Sequence, residues 1–299
     1  MLQIISKRKY TYILSVALVV LSVAVLFIWG LKLGIDFKGG TLMEVQFSEK
    51  APTARDIQEK LGELNLNSLT VQPSENDTAI LRYMASDEEL NEKVVEKLRE
   101  FDESTKQLRV DFIGASISKQ IKKNALMAII LAVVAIALYI AWAFRKVSHP
   151  VPSWQYGLGA VMALAHDIII TLGIFVVLGH FWEIEIGIPF VAALLTILGY
   201  SVNDTIVVYD RIRENILRSE AKENFENIVN KSINETLARS INTSLTVVVV
   251  LLAVIFFGGE TIKFFSVALL AGIVFGTYSS IYVASALLVS SYEYKIGKK

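Results

Sequence analysis

Six runs of apolar residues dominate the sequence, each about 20 residues long, the length an α-helix needs to cross a bilayer. They cover Tyr10–Leu31, Asn124–Phe144, Tyr156–Gly179, Ile188–Tyr209, Ile241–Phe257 and Phe264–Val289. Backbone amides in hydrocarbon must be paired internally, so runs of this kind cross as helices. Composition agrees: 54% of the 299 residues are apolar, 19% are charged, and the mean hydropathy is +0.51. A soluble domain carries about 25% charged residues.

Basic and acidic residues balance at 29 each, whereas a nucleic-acid binder would be strongly basic. The absence of cysteine excludes disulfides, thiolate metal sites and cysteine nucleophiles. His149, His166 and His180 are too scattered for a His-rich metal site. Neither G-x-x-x-x-G-K-[ST] nor G-x-G-x-x-G occurs, so nothing points to nucleotide hydrolysis. The expectation is a protein that is not an enzyme, with no cofactor and no metal.

Lys7, Arg8 and Lys9 precede the first run as they would in a signal peptide. Its length and the lack of an A-x-A-like cleavage site favour a retained span. Basic residues set the orientation. With a cytoplasmic N-terminus, Lys7–Lys9, Arg145, Lys146, the six basic residues between Arg211 and Arg239, Lys295, Lys298 and Lys299 fall inside. The short outer loops hold only Lys263, beside Glu183, Glu185 and Glu260. Both termini are therefore expected in the cytoplasm.

The chain then divides into 1–31, an N-terminal segment and first span; 32–123, an extracytoplasmic domain; and 124–299, a bundle of spans 2–6 with a cytoplasmic loop over 210–240. In the outer domain Thr41–Phe47 alternates as a half-buried strand does. Ala54–Leu64 reads as a helix capped by Thr53 and Asp56. Leu69–Gln72 and Ala79–Tyr83 read as strands around a turn containing Pro73, Asn76 and Asp77. Glu88–Phe101 reads as a helix opened by a Ser86/Glu89 capping box, and Leu108–Ile113 as a last strand. The order β-α-β-β-α-β is that of the ferredoxin-like unit. The fold class is thus a polytopic α-helical membrane protein of six spans with an extracytoplasmic α+β ferredoxin-like domain.

Ionisable residues inside a span are expensive and commonly face a bundle interior or a water-filled cavity. Asp204, in Gly199–Thr205 of the fourth span, lies seven residues before Arg211, about 10 Å from the cytoplasmic edge. It is a candidate for proton or ion handling; the alternative is a protonated Asp bonded to a neighbouring helix. Ser201 and Asn203 flank it. Asp167, about ten residues into the third span, is open to the same two readings. His166 points about 100° away from Asp167 around an ideal helix, so the two need not interact, and His166 reads as a packing residue. At the start of the fifth span Arg239, Asn242, Thr243 and Thr246 share one helical face. Arg239 would either snorkel to the headgroups or pair with Asp204. Gly272-x-x-x-Gly276 in the sixth span favours close helix packing without naming the partner. Gly34, Asp36, Gly39 and Gly40, in Gly34–Thr41, suggest a sharp or mobile hinge between the first span and the outer domain. The stretch from Asp210 onward reads as an interfacial or connecting helix.

Together Gly34–Thr41, Ala165-His166-Asp167, Gly199–Asp204 running on to Asp210–Asn215, and Arg239–Ser244 resemble the SecF family, the smaller subunits of the SecDF accessory complex of bacterial protein export. The motifs follow the family's order, and the layout covers the whole chain. The resemblance implies one six-helix half of a resistance–nodulation–division (RND) type bundle in the bacterial inner membrane, with SecD as the other half. It implies use of the proton-motive force, or of sodium, to promote late steps of export after SecYEG and SecA. It also implies preprotein substrates, contact with membrane lipids, and YajC and YidC as further partners, with no nucleic acid. In that scheme Asp204 is a proton relay with Arg239 as its cationic partner, Asp167 is a further relay candidate, and another acid comes from SecD.

Two other readings stay open at this point. One is an RND-type half-transporter of a small molecule or lipid, for which an outer domain of 92 residues is small. The other is a non-transporting scaffold or assembly factor, which would tolerate neutralisation of Asp204 and Arg239.

Overall fold

The computed structural model describes residues 2–48, 51–66, 69–73, 77–84, 88–145, 150–219 and 223–296. Two compact units result, Leu33–Ala125 and the combination of Met1–Lys32 with Leu126–Lys299. In chain order the elements are α1 (Arg8–Trp29), α2 (Ile35–Lys38), β1 (Gly40–Gln46), α3 (Ala54–Leu61), β2 (Thr70–Pro73), β3 (Thr78–Tyr83), α4 (Glu88–Arg99) and β4 (Lys106–Ile113). Next come α5 (Ala115–Ala143), α6 (Ser153–Trp182), α7 (Ile188–Arg218), α8 (Phe225–Phe257) and α9 (Glu260–Ser279). A π turn over Ser280–Ala284 joins α9 to α10 (Ser285–Ile296).

In the small unit the four strands form one antiparallel sheet in the order β2-β3-β1-β4. With one helix after β1 and another after β3, this is the ferredoxin-like arrangement. Alternation along β1 buries Met43 and Val45, which join Ile57, Leu61, Leu81, Val94 and Leu98 in a core between sheet and helices. Thr53 and Asp56 form the expected reciprocal cap of α3. Ser86 and Asn76, expected in a cap and a turn, lie outside the described residues, as do Lys146, His149, Lys222, Lys298 and Lys299.

The expected hinge is a defined turn. Ile35–Lys38 make one helical turn with Asp36 in it, between Gly34 and Gly39. Gly39 and Gly40 have φ of 81° and 123°, and a Cβ on Gly40 would sit 2.7 Å from the Tyr83 carbonyl oxygen. Only glycine fits there without strain.

Among the described residues six helical stretches are long and apolar enough to cross a membrane, with α9, the π turn and α10 forming the sixth. Over 210–240 the described residues are mostly helical and not a loop: the connecting helix expected from Asp210 is there, as the unbroken end of α7 and not as a separate interfacial helix. α7 runs unbroken to Arg218 and α8 begins at Phe225. Polar residues of this stretch pair across the two helices. Arg211 Nε bonds Glu235 at 2.6 Å, and Asn215 Nδ2 donates to Ser232 Oγ at 3.0 Å and to Glu235 at 2.7 Å. Nearby, Asn230 and Asn234, one turn apart, hold the N-terminal segment through the backbone of Leu2 and Ile4.

Gly272 and Gly276 find their partner in α7. A Cβ on Gly272 would overlap the Ile197 side chain, and one on Gly276 would come within 3.0 Å of Ser201 Cβ. This close approach of α9 to α7 carries Ser279 and Ser280 into the bundle interior.

Candidate functional site: two buried carboxylates

The paired acids lie on neighbouring helices, Asp167 on α6 and Asp204 on α7, and both are buried. Ser240 Oγ of α8 donates to Asp204 Oδ1 at 2.6 Å, and Ser280 Oγ donates to Oδ2 at 2.5 Å. Asp167 Oδ2 accepts from Ser201 Oγ at 2.6 Å and from Ser279 Oγ at 2.8 Å. Its Oδ1 lies 2.9 Å from His166 Nδ1. Four helical elements thus meet at two carboxyl groups, and adjacent residues of the sixth span, Ser279 and Ser280, serve one acid each.

Hydrogen bonds between a hydroxyl and an ionised carboxylate contribute roughly 1.5–3 kcal/mol each, which offsets part of the desolvation of a buried charge. The pattern is also specific to the charge state. An ionised carboxylate only accepts, whereas a protonated one must donate from one oxygen. Each described hydroxyl partner has a carboxylate oxygen within donating distance, and a proton on Asp204 would be met best by Ser240 or Ser280 acting as acceptor instead. Ser279 and Ser280 have somewhere to turn: the Gly276 carbonyl lies 3.1 Å from Ser279 Oγ, and the Thr277 carbonyl lies 3.0 Å from Ser280 Oγ.

His166 is the packing residue expected of it, with one ring nitrogen bonded. Its Nδ1 contacts the adjacent Asp167, despite the 100° between the two positions on an ideal helix. Its Nε2 is buried with no partner among the described residues, and its ring stacks on Tyr278 with centroids 6.0 Å apart.

Arg239 does not reach Asp204. It is exposed on α8, it makes no ion pair among the described residues, and the position beside Asp204 is taken by Ser240. Asn242, Thr243 and Thr246 are exposed on the same face, as is Asn203 on α7. Thr243 Oγ1 donates to the Arg239 carbonyl and Thr246 Oγ1 to that of Thr243. The inward face of α8 is the neighbouring one, through Ser240 and Ser244; Ser244 Oγ bonds Thr277 Oγ1 at 2.5 Å. Of the predicted residues, the structure brings together Asp204, Asp167 and Ser201. It leaves Arg239, Asn203, Asn242, Thr243 and Thr246 on the surface of this chain.

The residues that sequence reasoning passed over are Ser240, Ser279 and Ser280. A consecutive serine pair one turn beyond Gly272-x-x-x-Gly276, in an apolar span, was the available signal. No group of three or more His, Asp or Glu suited to a metal occurs among the described residues.

Multi-pass helices, a small ferredoxin-like unit and carboxyl groups buried inside the bundle define a polytopic membrane protein with ionisable groups in its interior. Residues 93–294 match the family described as "Protein export membrane protein SecD/SecF, C-terminal", and residues 24–51 match "SecD/SecF GG Motif", which contains Gly39-Gly40. Protein translocase subunit SecF of Thermobaculum terrenum is 44% identical over 97% of this chain and 94% of its own. That of Haemophilus influenzae is 38% identical over 94% of this chain and 83% of its own. The crystal structure of SecDF, a translocon-associated membrane protein from Thermus thermophilus, superimposes with a TM-score of 0.85 at 33% identity. It covers 97% of this chain, which spans 38% of the SecDF chain. The chain belongs to the SecF family of protein translocase subunits.

Proposed function

We propose that the chain is the SecF half of a SecD–SecF pair, an accessory subunit of the Sec preprotein translocase that draws on the proton-motive force in late steps of export. The observation that carries this reading is the pair of buried carboxylates in mid-bundle, each gripped by hydroxyls from neighbouring helices, in a chain of this family. A group so placed can be loaded from one side and emptied to the other. One charge moved across the membrane potential supplies about 2.3 kcal/mol per 100 mV.

The proton is the coupling ion in this reading, in preference to sodium. The oxygens of both acids already have donors at 2.5–2.9 Å, an arrangement suited to hydrogen exchange and not to a cation's oxygen shell. The exposed polar face of Arg239, Asn242, Thr243, Thr246 and Asn203 cannot rest against lipid without cost. SecD covers it in this account and brings an acid toward Arg239. The termini lie in the cytoplasm and residues 33–125 outside, following the basic residues. SecYEG and SecA are the translocase it serves, YajC and YidC further associates, and a preprotein emerging outside the membrane the substrate. Motion in the bundle reaches the outer unit through the Gly34–Gly40 turn.

The test is export into inverted membrane vesicles carrying this chain with its SecD. Asp204→Asn should abolish the stimulation that a proton gradient gives while leaving ATP-driven initiation intact. Full gradient-dependent stimulation by the variant would refute the relay and favour a scaffold.

A further inference from the structure

Between Ser279 and Ser285 the sixth span departs from α-helical geometry, and it does so where the two acids grip it. A π turn contains one residue more than the α-helical turn it replaces, which leaves carbonyls poorly satisfied, and it commonly marks a functional position. Two hydroxyls support this one. Ser285 Oγ donates to the Ser280 carbonyl at 3.0 Å, and Tyr209 Oη donates to the Ala284 carbonyl at 3.2 Å. Tyr209 reaches that carbonyl because residue 159 is glycine; a Cβ there would stand 2.6 Å from Tyr209 Oη. Tyr209 lies on α7 five residues beyond Asp204, so one helix holds both the acid that grips Ser280 and the hydroxyl that holds the far end of the turn.

We propose that the π turn at Ser280–Ala284 is the conformational element through which Asp204 acts, with Ser280, Ser285 and Tyr209 as its positioning residues. This rests on the reading that Asp204 changes protonation. With Asp204 ionised, Ser280 is held by a charge-assisted bond and the π turn is retained. With Asp204 neutral that bond weakens, Ser280 Oγ keeps only its existing contact with the Thr277 carbonyl, and the turn relaxes to α-helical geometry. Taking the extra residue up into regular α-helix displaces α10 by about 1.5 Å along the axis and rotates it by about 100°. α9, upstream, is fixed against α7 by Gly272 and Gly276, so the displacement falls on α10. Titratable side chains near the junction include His166, Asp167 and Tyr156 of α6, Tyr209 of α7, Tyr12 of α1 and Tyr278 of the sixth span, while the charged residues of α7, α8 and α10 cluster toward the other end of the bundle or, like Arg239, lie exposed. Asp167 holds Ser279, just before the turn, and so acts as the fixed side of the switch.

α1 offers a ruler on both sides of the turn. Upstream, Ser15 Oγ lies 3.2 Å from Tyr278 Oη; downstream, Tyr12 Oη lies 3.0 Å from Ser290 Oγ. The chain has no cysteine, so paired cysteines report without background from this subunit. In membranes containing the full chain and its SecD, Tyr12→Cys/Ser290→Cys and Ser15→Cys/Tyr278→Cys are cross-linked by a short homobifunctional thiosulfonate, which spans the gap left where cysteine replaces the longer tyrosine. Yields are read by mass spectrometry of the linked peptides at one fixed pH. Asp204→Asn, which presents a donor where the neutral acid would, is expected to lower the downstream yield at least three-fold relative to the upstream one. Ser280→Ala and Tyr209→Phe should do the same with Asp204 intact. An unchanged ratio in Asp204→Asn overturns the proposal. A parallel fall of both pairs also overturns it, because the sixth span would then move as one body. Loss of gradient-driven export in Asp204→Asn with an unchanged ratio would leave the functional reading standing and remove only the switch.

Discussion

Replacing Gly272 or Gly276 by alanine tests whether close approach of α9 to α7 is what builds the site. A Cβ at Gly272 falls inside the van der Waals envelope of Ile197, which is itself 1% exposed and packed on all sides. Either α9 backs away or Ile197 leaves its rotamer, and overpacking of this kind costs about 1–3 kcal/mol. At Gly276 the added carbon would meet Ser201 Cβ at 3.0 Å, a contact relieved by a shift of a few tenths of an ångström. The energetic cost is smaller there, but Ser201 Oγ is 2.6 Å from Asp167 and has no slack to give. Gly272→Ala should therefore lower the thermal midpoint of the detergent-solubilised chain, followed by tryptophan fluorescence, by several degrees. Gly276→Ala should lower it less while impairing gradient-driven export more. Truncating Ile197 opens the space that the new methyl needs. The double variant Gly272→Ala/Ile197→Ala should thus be more stable than the sum of the single effects allows, by about 1 kcal/mol or more. Strict additivity, or a Gly272→Ala protein as stable as the parent, would refute the close-contact argument.

Thr53→Ala removes one side of the α3 cap and should destabilise the outer unit by about 1 kcal/mol, readable as faster amide hydrogen exchange across Ala54–Leu61. The bond from Lys97 holds Glu63 below its ordinary pKa of 4.5, and bonds from Lys60 and then Lys97 do the same for Glu100. A lowered folded-state pKa contributes stability that is present above about 4.5 and lost as pH falls through the folded value. Hydrogen-exchange protection of the outer unit should therefore decline on acidification below pH 4.5, and less so in Glu63→Gln/Glu100→Gln. Because Asn230 and Asn234 hold the N-terminal segment, Asn230→Ala/Asn234→Ala should release Leu2–Ile5 to limited proteolysis while leaving the six spans intact.

The spans and the outer unit were legible because each rests on a periodic signal. Alternation gave β1, the Thr53/Asp56 pair gave the start of α3, and apolar runs gave the six helices. The extents of α7 and α8 were not legible, since Arg211, Asn215 and Glu235 look like solvated loop residues until their partners across the hairpin are known. Asp167 and Asp204 stood out as charges in apolar surroundings. Their partners did not, because serine is unremarkable in a span and its direction depends on packing. The polar stripe led by Arg239 lies one residue away from the inward face of α8 for this reason: Arg239 carries the stronger chemical signal, while Ser240 carries the geometry. The π turn left no mark in composition. Only the two serines at its start hinted that the sixth span bends its hydrogen-bond register around the acids.

The central claim is that Asp204 passes protons inward as export proceeds. Its most direct test is proton exit from the lumen of inverted proteoliposomes containing this chain, SecD and the translocon, followed with a lumenal pH dye while a preprotein is moved through its late stage. The account predicts proton movement that accompanies translocation in the parent protein and is absent in Asp204→Asn. Equal proton movement in both, or none in the parent under an imposed gradient, would contradict it.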